Sequence, residues 1–449
     1  MAGSRKGVPN GDSKRMDVRK FLALFAVLAM VIAACGGGDE ATDDTGEAGG
    51  ETGGDGEQIE MLVWASRDWY RVPDDFAAFM ERNPNIKVTQ DTQSNDDILQ
   101  QLQRMKDAGQ PLPDIINDDG FLMESYVAGG LALPFDEYKD RWEAEDPEGY
   151  AEILPIAWEE NNIDGQIWGV SLTANFDVVY YNVEHLAAAG VDGEAIDSLD
   201  GLLEAMRAVK ANTDVIPLTV QGLPGTGVTL LKTMFSSAGA PYDGAVPDLT
   251  SQGGIYTLNW FIDAANEELL PPEAIAWGEG EARGAFLGQN AAFILDGFTV
   301  AGDFADEPGF DLGTVWGVFE APASQTGAQK DGNQISNARS WFIGADTEHP
   351  DEAFLLIQEV NATLVGQAEN GGVPMRNSAA LADPRLVELW PFFNEGLREA
   401  YAGSASVPAG LNGGEVEGVL EQLFGEIIIG TDKTAEELAA EYQPILDGL

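Results

Sequence analysis

Cysteine is nearly missing from this 449-residue chain: Cys35 is the only one, so no disulfide can form within it. Histidine is almost as scarce, with His185 and His349 alone, which excludes a histidine-rich zinc or copper site. No D-x-D-x-D-G loop suggests calcium, and nothing points to a cofactor. Basic residues are few, 24 Lys and Arg against 76 Asp and Glu. Such a surface repels nucleic acid and anionic headgroups, which are bound through Lys and Arg. It reads as that of a protein adapted to a saline habitat, or else of an acidic secreted one. Uninterrupted apolar runs of membrane-spanning length are missing too. So are G-x-S-x-G, metal-spaced histidines and a fixed-period repeat.

What is present begins with an address. Arg15, Arg19 and Lys20 precede an apolar or small-residue run from Phe21 to Ala34, which ends in Ile32-Ala33-Ala34-Cys35. A basic stretch before a short apolar one reads as a signal peptide over residues 1–35, with Met16 as an alternative start. The last residues resemble a bacterial lipobox, which implies lipid on Cys35 and an anchor in the cell membrane. Residues 36–57 hold nine Gly and eight Asp or Glu and no Lys or Arg, the composition of a solvated, disordered tether. Removing residues 1–34, whose six basic and two acidic side chains sum to +4, leaves −52 − 4 = −56 on the rest.

Over the whole chain, charged residues and apolar ones stand at 22% and 44%, a globular composition. The length suggests two domains. Strands and helices alternate. Ile59, Met61 and Val63 alternate with polar residues up to Trp64, a strand. Phe76, Phe79 and Met80 share one face of a helix opened by Pro73 and stopped at Asn83-Pro84. Ile86–Thr89 is a strand, Ile98, Leu102 and Met105 a helix face, and Asp114-Ile115-Ile116 a buried strand. This βαβαβ order predicts an α/β fold with a mostly parallel sheet covered by helices. Further strands are expected at Val178–Tyr181, Ala291–Leu295 and Trp341–Gly344. Helices are expected near 199–211, 228–238 and from Pro350, with Val416, Leu420, Leu423 and Ile427 on a stripe near the end. Thr434 and Glu437 form a capping box.

Eight segments in this order resemble the family 1 extracellular solute-binding proteins of sugar ABC importers, the maltose-binding type. They are the strand ending at Trp64; Arg82-Asn83-Pro84-Asn85-Ile86-Lys87-Val88; Pro113-Asp114-Ile115-Ile116; and Gly129-Gly130-Leu131-Ala132-Leu133-Pro134. The rest are Gly165-Gln166-Ile167-Trp168-Gly169-Val170; Tyr181-Asn182; Phe286-Leu287-Gly288-Gln289-Asn290-Ala291-Ala292-Phe293; and His349-Pro350-Asp351-Glu352-Ala353-Phe354. Gln166, Ser171 and Phe298 stand where the family more often has Lys, Pro and Trp. The resemblance implies a two-lobed, periplasmic-binding-protein-like fold. One lobe would hold 58–172 plus 318–362 and the other 173–317 plus 363–449. Crossings are expected near 170–176 and 314–321, with a return near 362. It also implies a monomer that closes on a sugar by a hinge motion and partners ABC transporter permease subunits.

A sugar requires apolar ring faces and planar polar groups, which aromatic, Asp, Asn and Arg side chains supply. The candidates at strand ends and crossings are Trp64, Arg67, Asp68 and Trp69; Asp118 and Asp119; Asn175 and Phe176; Trp277; Asp296 and Phe298; Trp341; and Arg376. Trp158, Trp168, Trp260, Trp316 and Trp390 read as structural. Other classes leave weaker marks. Adjacent Tyr180 and Tyr181 raise ferric iron, but a strand sends neighbouring rings to opposite faces. Paired carboxylates alone do not make a glycosidase. A polyamine or another cation remains the alternative cargo, and a glycan-active enzyme or a rigid glycan-binding scaffold the alternative classes.

Overall fold

The computed structural model describes residues 58–65, 73–93, 98–224, 227–321, 334–369, 372–406 and 411–449. Cys35, the tether, and Arg67, Asp68 and Trp69 lie outside the described residues.

The principal sheet is built from β1 (Ile59–Ala65), β2 (Ile86–Thr92), β3 (Ile115–Asp119), β4 (Val170–Asn182), β5 (Ile216–Thr219), β6 (Ala291–Gly297), β7 (Trp316–Glu320) and β8 (Gln334–Ile343). Its order is β2-β1-β3-β8-β4-β6-β5, with β7 also on β4. β1 lies parallel to β2 and β3, as the βαβαβ pattern requires. Side chains make the joints. The Asp114 carboxylate accepts the Leu62 backbone N–H at 2.8 Å, locking β1 to the start of β3. Asn182 caps the helix Val183–Ala189 through a 3.0 Å bond from the His185 N–H, so the Tyr-Asn pair is a strand-to-helix joint. Thr434 and Glu437 close their capping box on the helix Ala435–Leu446.

β4 decides the architecture. Its first part, Val170–Phe176, pairs antiparallel with β8; of its second, Asp177–Tyr181 pairs antiparallel with β6, and Val178–Asn182 with β7. One thirteen-residue strand thus belongs to two groups of strands. From sequence, only Val178–Tyr181 of it reads as strand, and of β8 only the end, in the expected strand Trp341–Gly344, which runs one residue past Ile343. Val170–Asp177 alternates apolar and polar residues throughout, and it is the change of neighbours at Phe176–Asp177 that leaves no mark in the sequence. β7 pairs only with the second part of β4, and β8 only with the first. Val373 and Pro374 pair with Ala174 and Thr173, on the first part.

Packing follows this division only in part, because the core around the first group runs on through Tyr180, Ile294 and Trp316 of the second. Phe76, Phe79, Ile86, Val88, Phe135, Trp142 and Phe354 pack in the core around the first group. Leu202, Met206, Leu231, Phe261, Leu420, Leu423 and Leu438 pack around β5 and β6. Tyr180 falls in the first core and Tyr181 packs against the second, so the two rings leave β4 on opposite faces. Among the described residues no helix is long and apolar enough to cross a membrane.

Candidate functional site

Strand direction locates the site. β3 and β4 are each antiparallel to β8, so β3 runs the same way as β4 and its carboxyl end points toward the second group. β6 is antiparallel to β4, so its carboxyl end points back toward the first group. The two sets of strand ends therefore face each other across the middle of β4. Thr173 stands level with Arg339, and Asp177 with Gly297. Four residues of strand separate these levels, about 13 Å at ~3.3 Å per residue. Carboxyl ends of strands in α/β sheets are where ligands bind.

On the first wall, β3 changes from Ile115-Ile116 to Asn117-Asp118-Asp119, all five buried. Arg339 of β8 sits level with Asp119, with its guanidinium 2.6 Å from the Asp119 carboxylate and 3.9 Å from that of Asp118. The Tyr126 hydroxyl donates to Asp118. Burial, and then the charge of Asp119, push the Asp118 carboxyl up to about 6. Burial foremost, then the charge of Asp118, holds the Tyr126 phenol far above its ordinary range. Beside them Ser171 and Ser340 share a 3.0 Å hydroxyl contact, and Ser171 also meets Glu160 and Asn161 at 3.1 Å. Phe121, 48% exposed, follows directly after Gly120.

On the second wall, Asp296 is grasped by Arg283 through two bonds of 2.7 and 3.0 Å, and it accepts the Gly297 N–H and the Gln221 amide. Arg283 also reaches Glu279 at 2.9 Å. Asn175 accepts the Thr299 N–H at 3.2 Å. Tyr180 donates to the carbonyls of Gly297 and Phe298, fixing the turn after β6. Thr233 donates to Asp177 from the helix Val228–Ser237. Trp277 is half-buried, and its carbonyl accepts the Gly222 and Leu223 N–H groups at 3.0 Å.

Asp118, Asp119, Asn175, Trp277 and Asp296 of the sequence candidates thus lie at or beside these strand ends. Others are placed elsewhere. Phe176 and Phe298 are fully buried, stacked on each other at 5.0 Å and enclosed with Phe393, so neither offers a ring face. Trp341 is 1% exposed within the first core, its β8 neighbours β3 and β4 pairing on both sides. Trp64 packs among Ile98, Leu102 and Tyr126 beneath β1 and β3. Arg376 spends its guanidinium on the carbonyls of Gly149 and Asn361, and burial lowers its pKa. It is a structural clamp. Of the tryptophans read as structural, Trp260 and Trp316 are buried and donate to backbone carbonyls at 2.8 Å.

Arg339, Arg283, Tyr126, Glu160 and Gln221 were not among the candidates. Arg339 carries a signal: it is a lone cation in the otherwise uncharged run Ala338-Arg339-Ser340-Trp341-Phe342-Ile343 of a chain poor in basic residues. A buried charge there requires a partner. Arg283 carries none, because it lies on a helix among exposed acids.

A family model described as bacterial extracellular solute-binding protein matches residues 70–362. The xylose/arabinose-binding protein XacG of Haloferax volcanii is 24% identical over 405 residues, 87% of this chain and 83% of that protein. The lactose-binding protein of Rhizobium radiobacter is 23% identical over 206 residues, 44% of this chain and 46% of that one. Among solved structures, the sugar-binding protein MalE of Xanthomonas citri superposes with a TM-score of 0.71 at 18% identity, covering 87% of this chain and 98% of its own.

Proposed function

The chain belongs to the family of bacterial extracellular solute-binding proteins, and on that premise we propose that it captures a carbohydrate for an ABC importer. The observation that carries the reading is the opposition of strand ends across β4, each furnished with carboxylates held by an arginine. The Asp119 and Asp296 side chains can accept hydrogen bonds from sugar hydroxyls, and the Asn175 amide both donates and accepts. Phe121 and Trp277 offer apolar ring faces. The relatives named for xylose and arabinose, for lactose and for sugar binding support the same class of cargo. β4 joins the two strand groups, and closure about it would seal the ligand from water.

The protein acts as a monomer outside the cytoplasm, tethered by lipid on Cys35 and delivering its cargo to the permease subunits. The Gly- and acid-rich segment holds it off the membrane. Cys35→Ala should release it from the membrane fraction; a variant that still sediments with membranes would refute the anchor.

The cargo is tested by thermal denaturation of the purified chain with xylose, arabinose, lactose, maltose, amino acids and spermidine. A ligand at a hundred times its Kd stabilises the folded state by ~2.7 kcal/mol. At least one neutral sugar should raise Tm and be recovered chemically unchanged. If only spermidine does so, the carboxylates select a cation and the carbohydrate reading fails.

A further inference from the structure

Each wall carries an exposed apolar group in the loop that follows its strand-end carboxylate. On the first wall β3 runs into the turn Gly120–Leu122. Gly120 is pressed onto β8: a β-carbon there would stand 3.0 Å from the Ser340 hydroxyl and 3.4 Å from the Ala338 carbonyl. Leu122 packs against the core that holds Trp64 and Tyr126, and Met123 is buried in it. Phe121 between them is 48% exposed, so the turn that seats its neighbours leaves this ring outside.

On the second wall β5 runs parallel to β6, so its carboxyl end also points back toward the first group. The loop after β5 is held to the end of β6 by Gln221, whose amide donates to Asp296 at 3.3 Å. Leu223 follows, 43% exposed, with its backbone N–H on the Trp277 carbonyl at 3.0 Å. A β-carbon at Gly278 would stand 3.7 Å from the Leu223 side chain, and one at Gly222 would overlap the Ala274 carbonyl. The loop and the segment 274–278 thus form one ledge, with Leu223 and half-buried Trp277 as apolar members.

We propose that Phe121 and the Leu223–Trp277 ledge are the specificity-determining jaws of the cleft, which close on the two faces of a cyclic sugar and reject open-chain polyols. The proposal rests on the cleft being where a sugar binds. A sugar ring carries hydroxyls round its edge and C–H groups on its faces. Polar groups at the strand ends suit the edge, and a phenyl ring, an indole and a leucine suit the faces. An open-chain polyol bears the same hydroxyls but no fixed apolar face, and ordering it on binding costs conformational entropy. The jaws belong to different strand groups, so an open cleft offers one face of the ring a partner and closure supplies the other. The exposed part of Phe121 contributes little to the fold, so its burial is gained with the ligand.

The test is calorimetric Kd on the full chain for wild type, Phe121→Ala, Phe121→Leu, Phe121→Tyr and Trp277→Ala. The solutes are xylose, arabinose, lactose and maltose, with xylitol, arabinitol and sorbitol as the open-chain polyols. Wild type should bind its best sugar at least about tenfold more tightly than any polyol. Phe121→Ala and Trp277→Ala should each weaken that sugar about tenfold, the first with Tm close to wild type. Phe121→Tyr keeps the flat ring and should stay within about twofold, whereas Phe121→Leu lacks it and should lose at least about threefold. Sugar affinity within twofold of wild type in either alanine variant overturns the jaws, and so does a Phe121→Leu variant as tight as wild type. A polyol bound as tightly as the best sugar overturns them too. If wild type binds none of the four sugars, the carbohydrate reading falls and takes the jaws with it; sugar binding untouched by Phe121→Ala overturns the jaws alone.

Discussion

The Asn175 side-chain amide lies against the α-carbon of Gly297, so a β-carbon at 297 would overlap it. These two residues join the crossing strand to the turn after β6, and Asn175 also accepts the Thr299 N–H there. Gly297→Ala should therefore push Asn175 out of place. Overpacking of this kind costs about 1–3 kcal/mol. Tm should fall accordingly, and sugar affinity should fall more than in a distant variant of equal stability, measured by calorimetry. Unchanged affinity would place Asn175 outside the site.

Arg283 and Asp296 form a two-pronged ion pair in which the carboxylate is 6% exposed. Arg283→Met leaves that charge with only the Gln221 amide and the Gly297 N–H. The expected loss is about 3 kcal/mol in urea denaturation. The double variant Arg283→Met with Asp296→Leu should recover part of it, because removing both charges removes the uncompensated one. No recovery would show that Asp296 has a further role in folding.

Phe298 is buried among Phe176, Phe392 and Phe393, whereas Trp277 is half-buried beside Leu223. Phe298→Ala should cost about 3–5 kcal/mol of stability. Trp277→Ala should cost far less stability and more affinity. Equal Tm values for the two would contradict the packing.

The Asp118 carboxyl is raised from 3.8 to about 6 because burial and Asp119 disfavour its charge. Its neutral form stabilises the fold fully below about pH 3.8, and that contribution is lost as pH rises through 6. The loss amounts to roughly 3 kcal/mol. Asp118→Asn has no such proton to lose. Its stability relative to wild type should increase from pH 4 to pH 7, by no more than that amount, in parallel urea titrations. A constant difference would mean that Asp118 titrates at its ordinary value.

The charge of −56 beyond residue 34 makes the folded chain repel itself. Screening shortens from about 10 Å at 0.1 M salt to about 3 Å at 1 M. Tm should rise with NaCl over this range. A flat curve would show that pairs such as Arg207–Glu267 and Lys433–Glu426 already offset the repulsion.

Periodicity alone determined the local elements. Pro73–Arg82, Ile86–Thr92, Leu199–Asn212, Pro350–Ala362 and the capped last helix were legible because each buries one face with its own period and carries its own stop or cap. The alternation of strand and helix likewise dictated an α/β fold with β1 parallel to β2 and β3, but the sheet is mixed rather than mostly parallel, because β8 and β4 pair antiparallel with their neighbours. Asp118, Asp119 and Asp296 were singled out because polar residues at the end of an apolar strand stand out. Tertiary structure decided what has no local period. The thirteen-residue β4 exchanges one set of neighbours for another at Phe176–Asp177, and only the whole sheet shows that switch. It also decided which aromatics are core: Phe176, Phe298, Trp64 and Trp341 share the residue type of a sugar-stacking ring, and burial by distant segments separates the two roles. The arginines were decided last, since an ion pair such as Asp119–Arg339 depends on distance in space between residues far apart in the chain.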